Sequence, residues 1–548
     1  MALGPSHRPI LRGYGPLACL LLAFVLMAAF VPTNARERVT LSGAANGAAG
    51  ATSTGGVSGA GTVAGGATAP GAVAGSTTTT GAQLAKPGQL PANTSKCSGK
   101  QVPGDPYSPS CIKFSGSNGG STTRGVDATT IKVAYRETND PGFQQTLAQI
   151  GGAQFQDTPA DVERTINGLA DYFNKHFQFY GRKIKFEFYK GQGSQTNELL
   201  GGGQQDAGAD ALHVASDLKA FADMSAATEP YGDALSRQKV LNFGEPYLSG
   251  KWFAQRAPYA WSVATDCTQV SDASAEIGIK QMLGHTAKYA GSTQFQQKKR
   301  KIAILAPDNP WYQDCVNNAQ SIFKAAGFGK QETIAYQLNL STLSSQAASI
   351  VSKLKADGVT TVVCGCDPIF PVYLTQKADE QSYFPEWSVI GVALTDQDIV
   401  GQLFDQKEWK NAFGVTYLGK TIPYQATLGY AAYKSVRSDE PATVVNLIYA
   451  QMYMLALGIQ LAGPQLTPQT YQKGMQSYAG GTGEFGTWGF PAGHYTPTLD
   501  GAEIYWDPNA TSPYNGKQGA YIFASARYRP GSWPRGDVPP KQPYKAAR

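Results

Sequence analysis

Apolar positions along this chain change their spacing in a repeating way. From residue 128 onward, short apolar runs of strand type alternate with stretches whose apolar residues recur every three to four positions. Residues 301–327, KIAILAPDNPWYQDCVNNAQSIFKAAG, display the pattern most fully. Ile302 to Leu305 make the strand, and Asp308-Asn309-Pro310 offers an N-cap followed by a proline that a first helical turn tolerates. Val316, Ala319, Ile322, Phe323 and Ala326 then recur at helical spacing, and Gly327 can close the helix in a left-handed cap. Strands are expected at 131–135, 184–189, 220–222, 240–243, 333–336, 360–364, 389–392 and 413–417. Between them, Val162, Ile166, Leu169, Phe173 and Phe177 mark one amphipathic helix, and Ala347, Ile350, Val351 and Leu354 mark another that Gly358 caps. The alternation occurs twice over, which predicts an α/β protein of two doubly wound lobes with mainly parallel sheets. Open sheets of that kind bind ligands at the carboxyl ends of their strands, so the 307–312 loop, with its Trp-Tyr pair, is expected to meet any ligand. The same aromatics equally suit packing at a helix start, and Asp308 a simple cap.

Residues 444–461 are apolar nearly all round. Asn446, Gln451 and Gln460 interrupt them and Gly458 weakens them, so a buried helix between the lobes is expected rather than a membrane span. The N-terminus carries Arg8 and Arg12, an apolar run over 17–31 and then Pro32-Thr33-Asn34-Ala35, the layout of an export signal with a cleavage point after Ala35. Cys19 stands at the start of that run, where a lipidated cysteine would follow it. Residues 42–80 are almost entirely Gly, Ala, Ser, Thr and Val, too poor in core-forming side chains to offset the entropy of ordering, and read as a tether. The expected layout is an export signal or membrane anchor over 1–35 and a low-complexity tether over 36–96. A disulfide-closed lead-in follows over 97–127, then lobe 1 over 128–262 and lobe 2 over 263–416. Lobe 1 is completed over 417–500 with the buried helix, the chain returns to lobe 2 over 501–530, and 531–548 is a loose tail. Residues before about 128 are expected to contribute almost nothing to the fold.

The formal net charge is only +6, and the one basic cluster, 298–301, reads as a solvated turn, which argues against nucleic acid as a partner. Of 7 cysteines, Cys19 falls in the export segment. The others, in an exported chain, suggest disulfides. Cys97 and Cys111 bracket a Pro/Gly-rich loop and should pair. Cys267, Cys315, Cys364 and Cys366 should pair among themselves, Cys267–Cys315 with Cys364–Cys366 first and a crossed arrangement as the alternative. The oxidising compartment and the lack of nearby histidines disfavour zinc at Cys364-x-Cys366.

At this point the chain resembles a known family, the type I periplasmic solute-binding proteins, specifically the branched-chain amino acid, amide and urea receptors of ABC importers. The resemblance spans residues 128–533 and rests on an ordered series: TTIKVAY, KAFADMSAAT, KVLNFGEPYL, KKRKIAILAPDNPWYQD, VTTVVCGCDPIFPVYLTQKADEQSYFPEW and VIGVALTDQDIV. It implies two lobes joined by crossing hinge strands that close on a small molecule. Matching loops implies ligand contacts from Met224, Ser225 and Thr228, then Gly244, Glu245 and Tyr247 on the first lobe. The second lobe would contribute Asn309, Trp311 and Tyr312, then Cys366 and Asp367, then Thr395 and Asp396. The implied partners are a small polar ligand (an amino acid, amide or similar solute), an ABC permease, and the membrane if the N-terminal segment is uncleaved. The implied location is the cell envelope or outside the cell. A ligand-sensing or scaffolding protein without transport is the alternative. No Gly-x-Ser-x-Gly, His-Glu-x-x-His or phosphate-loop motif occurs, so neither enzyme activity, a cofactor nor a metal is expected.

Overall fold

A computed structural model describes residues 99–138, 157–244, 247–392 and 394–545. The expected export segment, the tether, Cys97 and Glu245 lie outside the described residues. The first lobe is built on β1 (Thr130–Glu137), β2 (Lys183–Lys190), β3 (Ala222–Asp223), β4 (Leu241–Phe243) and β5 (Ala260–Trp261), paired in parallel in the order β2-β1-β3-β4-β5. The second uses β6 (Ile302–Pro307), β7 (Glu332–Tyr336), β8 (Thr361–Cys364), β9 (Glu386–Val389) and β10 (Ala412–Thr416), parallel in the order β7-β6-β8-β9-β10. Both lobes therefore share one winding, and in each the strand order reverses beside the first strand. That switch point is where open α/β sheets leave a crevice.

The sequence explains these elements locally. All six residues of β6 are buried, as expected of a central parallel strand covered on both faces. Helix Pro310–Ala325 starts on Asn309, whose side chain accepts the Trp311 N–H, so Asn309 rather than Asp308 is the cap. Gly327 and Gly358, at φ +82° and +66°, end their helices in the left-handed region. The expected strand over 389–392 lies three residues earlier, as β9. Its Glu386 looks like a surface residue in sequence but is fully buried, held by the Arg300 guanidinium at 2.7 and 3.0 Å and by the Thr361 hydroxyl at 2.7 Å. Arg300 is accordingly not part of a solvated basic turn.

After β10 the chain returns to the first lobe, passes a short hairpin of β11 (Gly481–Gly483) and β12 (Gly486–Trp488), and crosses back as β13 (Gly501–Thr511) and β14 (Gln518–Tyr528). These two long antiparallel strands extend the second sheet beyond β10. At the crossings Ser262 N–H donates to the Tyr495 carbonyl at 3.2 Å, and Gly419 N–H to that of Glu484 at 2.9 Å.

Helix Val445–Ala462 is long and apolar enough to cross a membrane. Here it lies in the core of the first lobe, among Phe173, Phe177, Leu466 and Tyr471, rather than between lobes. Gly458 is what lets Tyr471 approach, since an added Cβ would stand 2.1 Å from that ring. Gln460, fully buried, accepts the Gln178 N–H and donates to Gln101 and the Ser110 carbonyl. A polar group so satisfied costs little in a protein core.

Two expectations fail at the ends of the body. The described part of the lead-in is docked, not dispensable. Tyr107 is fully buried, donates to the Gly486 carbonyl at 2.8 Å, accepts the Phe485 N–H at 2.7 Å and packs at a tilt against the Trp488 ring. Arg182 holds the carbonyls of Asn118 and Gly120. The terminal segment is not a loose tail over its described length: Trp533 and Val538 are buried, and Asp537 bridges Lys288 and Arg300. Proline-rich composition misled here because single aromatic and carboxylate anchors carry no periodicity. Cys267 pairs with Cys315 and Cys364 with Cys366. Cys111 is also disulfide-bonded.

Candidate functional site

The loops after β3, β4, β6, β8 and β9 leave the carboxyl ends of their strands, and the sequence-predicted residues sit on them. After β3, Ser225 accepts the Arg136 N–H at 2.8 Å and donates its own hydroxyl proton to Asp223 at 2.7 Å. Thr228, buried before helix Glu229–Arg237, donates to Glu198. Both hydroxyls are thus already spent as donors, and what they offer a ligand is lone pairs. Gly244 follows β4 at φ +123°, where an added Cβ would come within 3.0 Å of Gln451. Tyr247 adopts φ +66°, a conformation that costs a non-glycine residue energy and recurs at ligand clamps.

From the second lobe, Asn309 and Trp311 face Gly201 of the first. A Cβ placed on Gly201 would lie 3.6 Å from Asn309 Nδ2 and 3.8 Å from the Trp311 ring. Trp311 packs, half-buried, against the first lobe's core, while Tyr312 stacks on Tyr247 with ring centroids 6.0 Å apart. The structure therefore brings together Gly201, Tyr247, Asn309, Trp311 and Tyr312 where the lobes meet. Burial, with Tyr247 and Asp367 nearby, pushes the Tyr312 hydroxyl well above its usual pKa, so it stays a neutral donor.

The remaining predicted residues are committed elsewhere. Met224 is buried in the first lobe's core. Cys366 is fully buried in its disulfide. Asp367 accepts from Tyr336 at 2.5 Å and from the backbone of Ile369 and Phe370, opening helix Phe370–Glu380. Thr395 is buried and donates to the Val392 carbonyl, and Asp396 accepts from Thr416 at 2.6 Å. Burial raises the pKa of Asp367, and that of Asp396 to about 6, against the hydrogen bonds that lower them.

One cluster escaped the sequence reading. At the end of β1, Arg136 is buried and forks onto Glu198 with two 2.8 Å bonds, reaches Asp210 at 3.1 Å and lies over the Tyr231 ring at 3.6 Å. Tyr231 donates to Asp223, whose pKa burial raises. Gly191 and Gly193 make room, since a Cβ on either would meet Arg136 within 2.7 Å. The available signal was an arginine ending an apolar strand ahead of GQGSQTNELLGGG, a glycine-rich stretch holding an acid.

These observations can be set beside known proteins. No protein-family model matches the chain, and no curated protein matches its sequence. Solved structures do match. A solute-binding protein of an ABC transporter from R. palustris, in complex with 4-hydroxybenzoate, is 13% identical, covers 74% of this chain and 98% of its own, and superposes with a TM-score of 0.52. The Brucella ovis leucine-, isoleucine-, valine-, threonine- and alanine-binding protein, in its closed conformation, is 13% identical over 75% and 98%, with a TM-score of 0.53. The Thermotoga maritima leucine-binding protein reaches 0.50 at 12% identity, over 74% and 100%. The fold is that of the type I solute-binding proteins. Arg136 and its carboxylates join the loops after β2 and β3 of the first lobe, and Tyr247, Trp311 and Tyr312 lie where the two lobes touch. Among the described residues no group of three or more His, Cys, Asp or Glu side chains is placed to hold a metal ion.

Proposed function

We propose that this chain is an exported receptor that captures a small polar solute between its lobes and hands it to an ABC importer. One observation carries the reading. Two lobes of identical winding meet close to their switch points, with Asn309, Trp311 and Tyr312 of one against Gly201 and Tyr247 of the other. The chemistry there refines the ligand class. The R. palustris and Brucella ovis proteins bear the names of carboxylate-containing ligands. Here Ser225 and Thr228 already donate to acids, and Glu198, Asp210 and Asp223 outnumber Arg136 on that side. A ligand rich in donors, an amine, amide or polyol, suits this face better than a simple carboxylate. The protein acts on this reading by binding rather than by turnover.

The test is a thermal-shift screen of the purified chain against amines, amides, polyols and amino acids, followed by calorimetry on hits. Trp311→Ala should weaken a true ligand by about 2–4 kcal/mol if the ring is a buried anchor, with the secondary structure of the free protein unchanged. A screen without hits, or a ligand whose affinity ignores Trp311, would sink the proposal.

A further inference from the structure

The second lobe encloses a cavity of its own. It lies between the sheet and two helices, Cys267–Ile277 and Pro310–Ala325, and has a volume of about 80 Å³. A site for one water needs about 10–15 Å³ on the same measure and two to four polar partners. This space has room for several waters but walls of hydrocarbon, among them Val270, Ile277, Ile304, Val316 and Val415. Protein interiors are ordinarily packed to crystal density, so a void of this size calls for a cause.

The cause is visible in how the two helices are held. At one end the Cys267–Cys315 disulfide joins them with Cα atoms 5.8 Å apart, and both cysteines line the space. Further along, the first helix continues as a π-helical segment, Gly278–Met282, and Gly278 sits so close to Phe323 that an added Cβ would stand 2.8 Å from its ring. Pinned at both places, the walls cannot relax inward to close the gap. π-Helical segments cost energy and occur often at functional sites. A second feature points the same way. Glu503, on β13, lines the cavity, is 5% exposed, and among the described residues its Oε1 has no hydrogen-bond partner. Burial raises its pKa, with Gln281 and Ser525 partly offsetting, so the carboxyl is held toward its neutral form.

We infer that the second lobe binds, in this cavity, a small and mainly apolar molecule carrying a single hydroxyl or amino group, with hydrocarbon walls around its body and Glu503 at its polar end. The site differs in chemistry from the proposed interlobe site, since its walls are hydrocarbon, whereas hydroxyls and acids stand at the strand ends of the first lobe. It adjoins the crevice at one point, because Tyr247 and Tyr312, stacked across the lobes, also line the cavity. An occupant would therefore press on the interlobe joint.

The experiment uses the full exported chain with benzyl alcohol and 1-hexanol as probes and L-leucine as a polar control, read by thermal shift and saturation-transfer NMR. Both alcohols should bind saturably and raise Tm by about 1–3 °C at roughly ten times Kd. Val316→Phe, which fills the space, should weaken them at least about tenfold, and Glu503→Leu should weaken the alcohols but not benzene. Trp311→Ala should change alcohol affinity less than about twofold. Absence of saturable binding, undiminished binding in Val316→Phe, or a loss in Trp311→Ala placing the probe in the crevice would each overturn the inference. Should Val316→Phe fail to fold, a xenon-pressurised crystal of the unaltered protein decides: density between Ile304 and Val316 supports the site, and none there refutes it.

Discussion

Replacing Arg136 by methionine tests the buried cluster at the end of β1 most directly. Methionine keeps most of the side-chain length and the contact with Tyr231 but removes the charge. Three bonds disappear: the fork onto Glu198 at 2.8 Å on each arm and the 3.1 Å bond to Asp210. Both acids are buried, with side chains 0% and 3% exposed, so water cannot replace the lost partner. Breaking one side of a buried ion pair usually costs about 3–5 kcal/mol, because the surviving charge is left uncompensated. The cation–π attraction to the Tyr231 ring, which goes with the charge, is worth about 2 kcal/mol at a desolvated site, though the two losses share atoms and will not sum. Urea unfolding of the variant should therefore show a loss of about 3–5 kcal/mol, with unchanged secondary structure by circular dichroism. The paired variant Arg136→Met/Glu198→Gln should recover part of it, since it removes the stranded carboxylate along with its partner. Solute affinity should fall as well, because Glu198 also anchors Thr228. A loss under about 1 kcal/mol, or no recovery in the paired variant, would refute the view that this network is a buried ionic lock.

Two further outcomes follow from named residues. Asp396 has its pKa raised to about 6 by burial, against an ordinary 3.8. A carboxyl raised on folding favours the native state below its unfolded pKa and loses that benefit as pH rises through its folded one. Asp396→Asn, which still accepts from Thr416, should therefore be more stable than the parent by about 2–3 kcal/mol at pH 7.5, with the gap closing below about pH 4, as read by unfolding at both values. Tyr107→Ala should cost about 3–5 kcal/mol and Tyr107→Phe about 1–2 kcal/mol in the same assay, the latter because the Phe485 N–H loses its acceptor; two neutral results would show that the lead-in is not structural.

How much of this could be read beforehand depended on periodicity. The parallel strands and their helices were legible because β6 and its like are unbroken apolar runs, and because Gly327 and Gly358 close helices in the way glycine alone does cheaply. β9 was misplaced by three residues because Glu386 carries a charge whose partner, Arg300, is 86 positions away. The same blindness hid the Arg136 network, whose members come from β1, β3 and three helices further along. Trp311 and Tyr312 were open to two readings from sequence, packing or contact. The structure shows the packing, since Trp311 rests on the opposite lobe's core and stands near Gly201. Met224 and Cys366 resemble site residues in sequence because they follow strand ends, yet side chains one or two positions from a strand end still alternate inward. Backbone position was legible; which side faced the crevice was not.

The acids near the strand ends set how affinity must vary with pH. Asp223 ends β3, and Asp367 and Asp396 follow β8 and β9; burial raises the pKa of all three, that of Asp396 to about 6. A cationic ligand brought close stabilises the ionised form and lowers those pKa values, so binding must release protons. By linkage its affinity then rises as pH climbs from about 5 to about 7.5, through the region where Asp396 titrates. An anionic ligand does the reverse, since it raises the same pKa values and takes up protons. A neutral polyol or amide perturbs the acids only through hydrogen bonds and leaves a shallow profile. Calorimetry of one confirmed ligand in two buffers of different ionisation heat counts the protons directly. Release supports an acidic crevice built for donors, whereas uptake with affinity growing toward low pH would mean that these carboxyls face away from the ligand's charge or that the crevice was assigned the wrong sign.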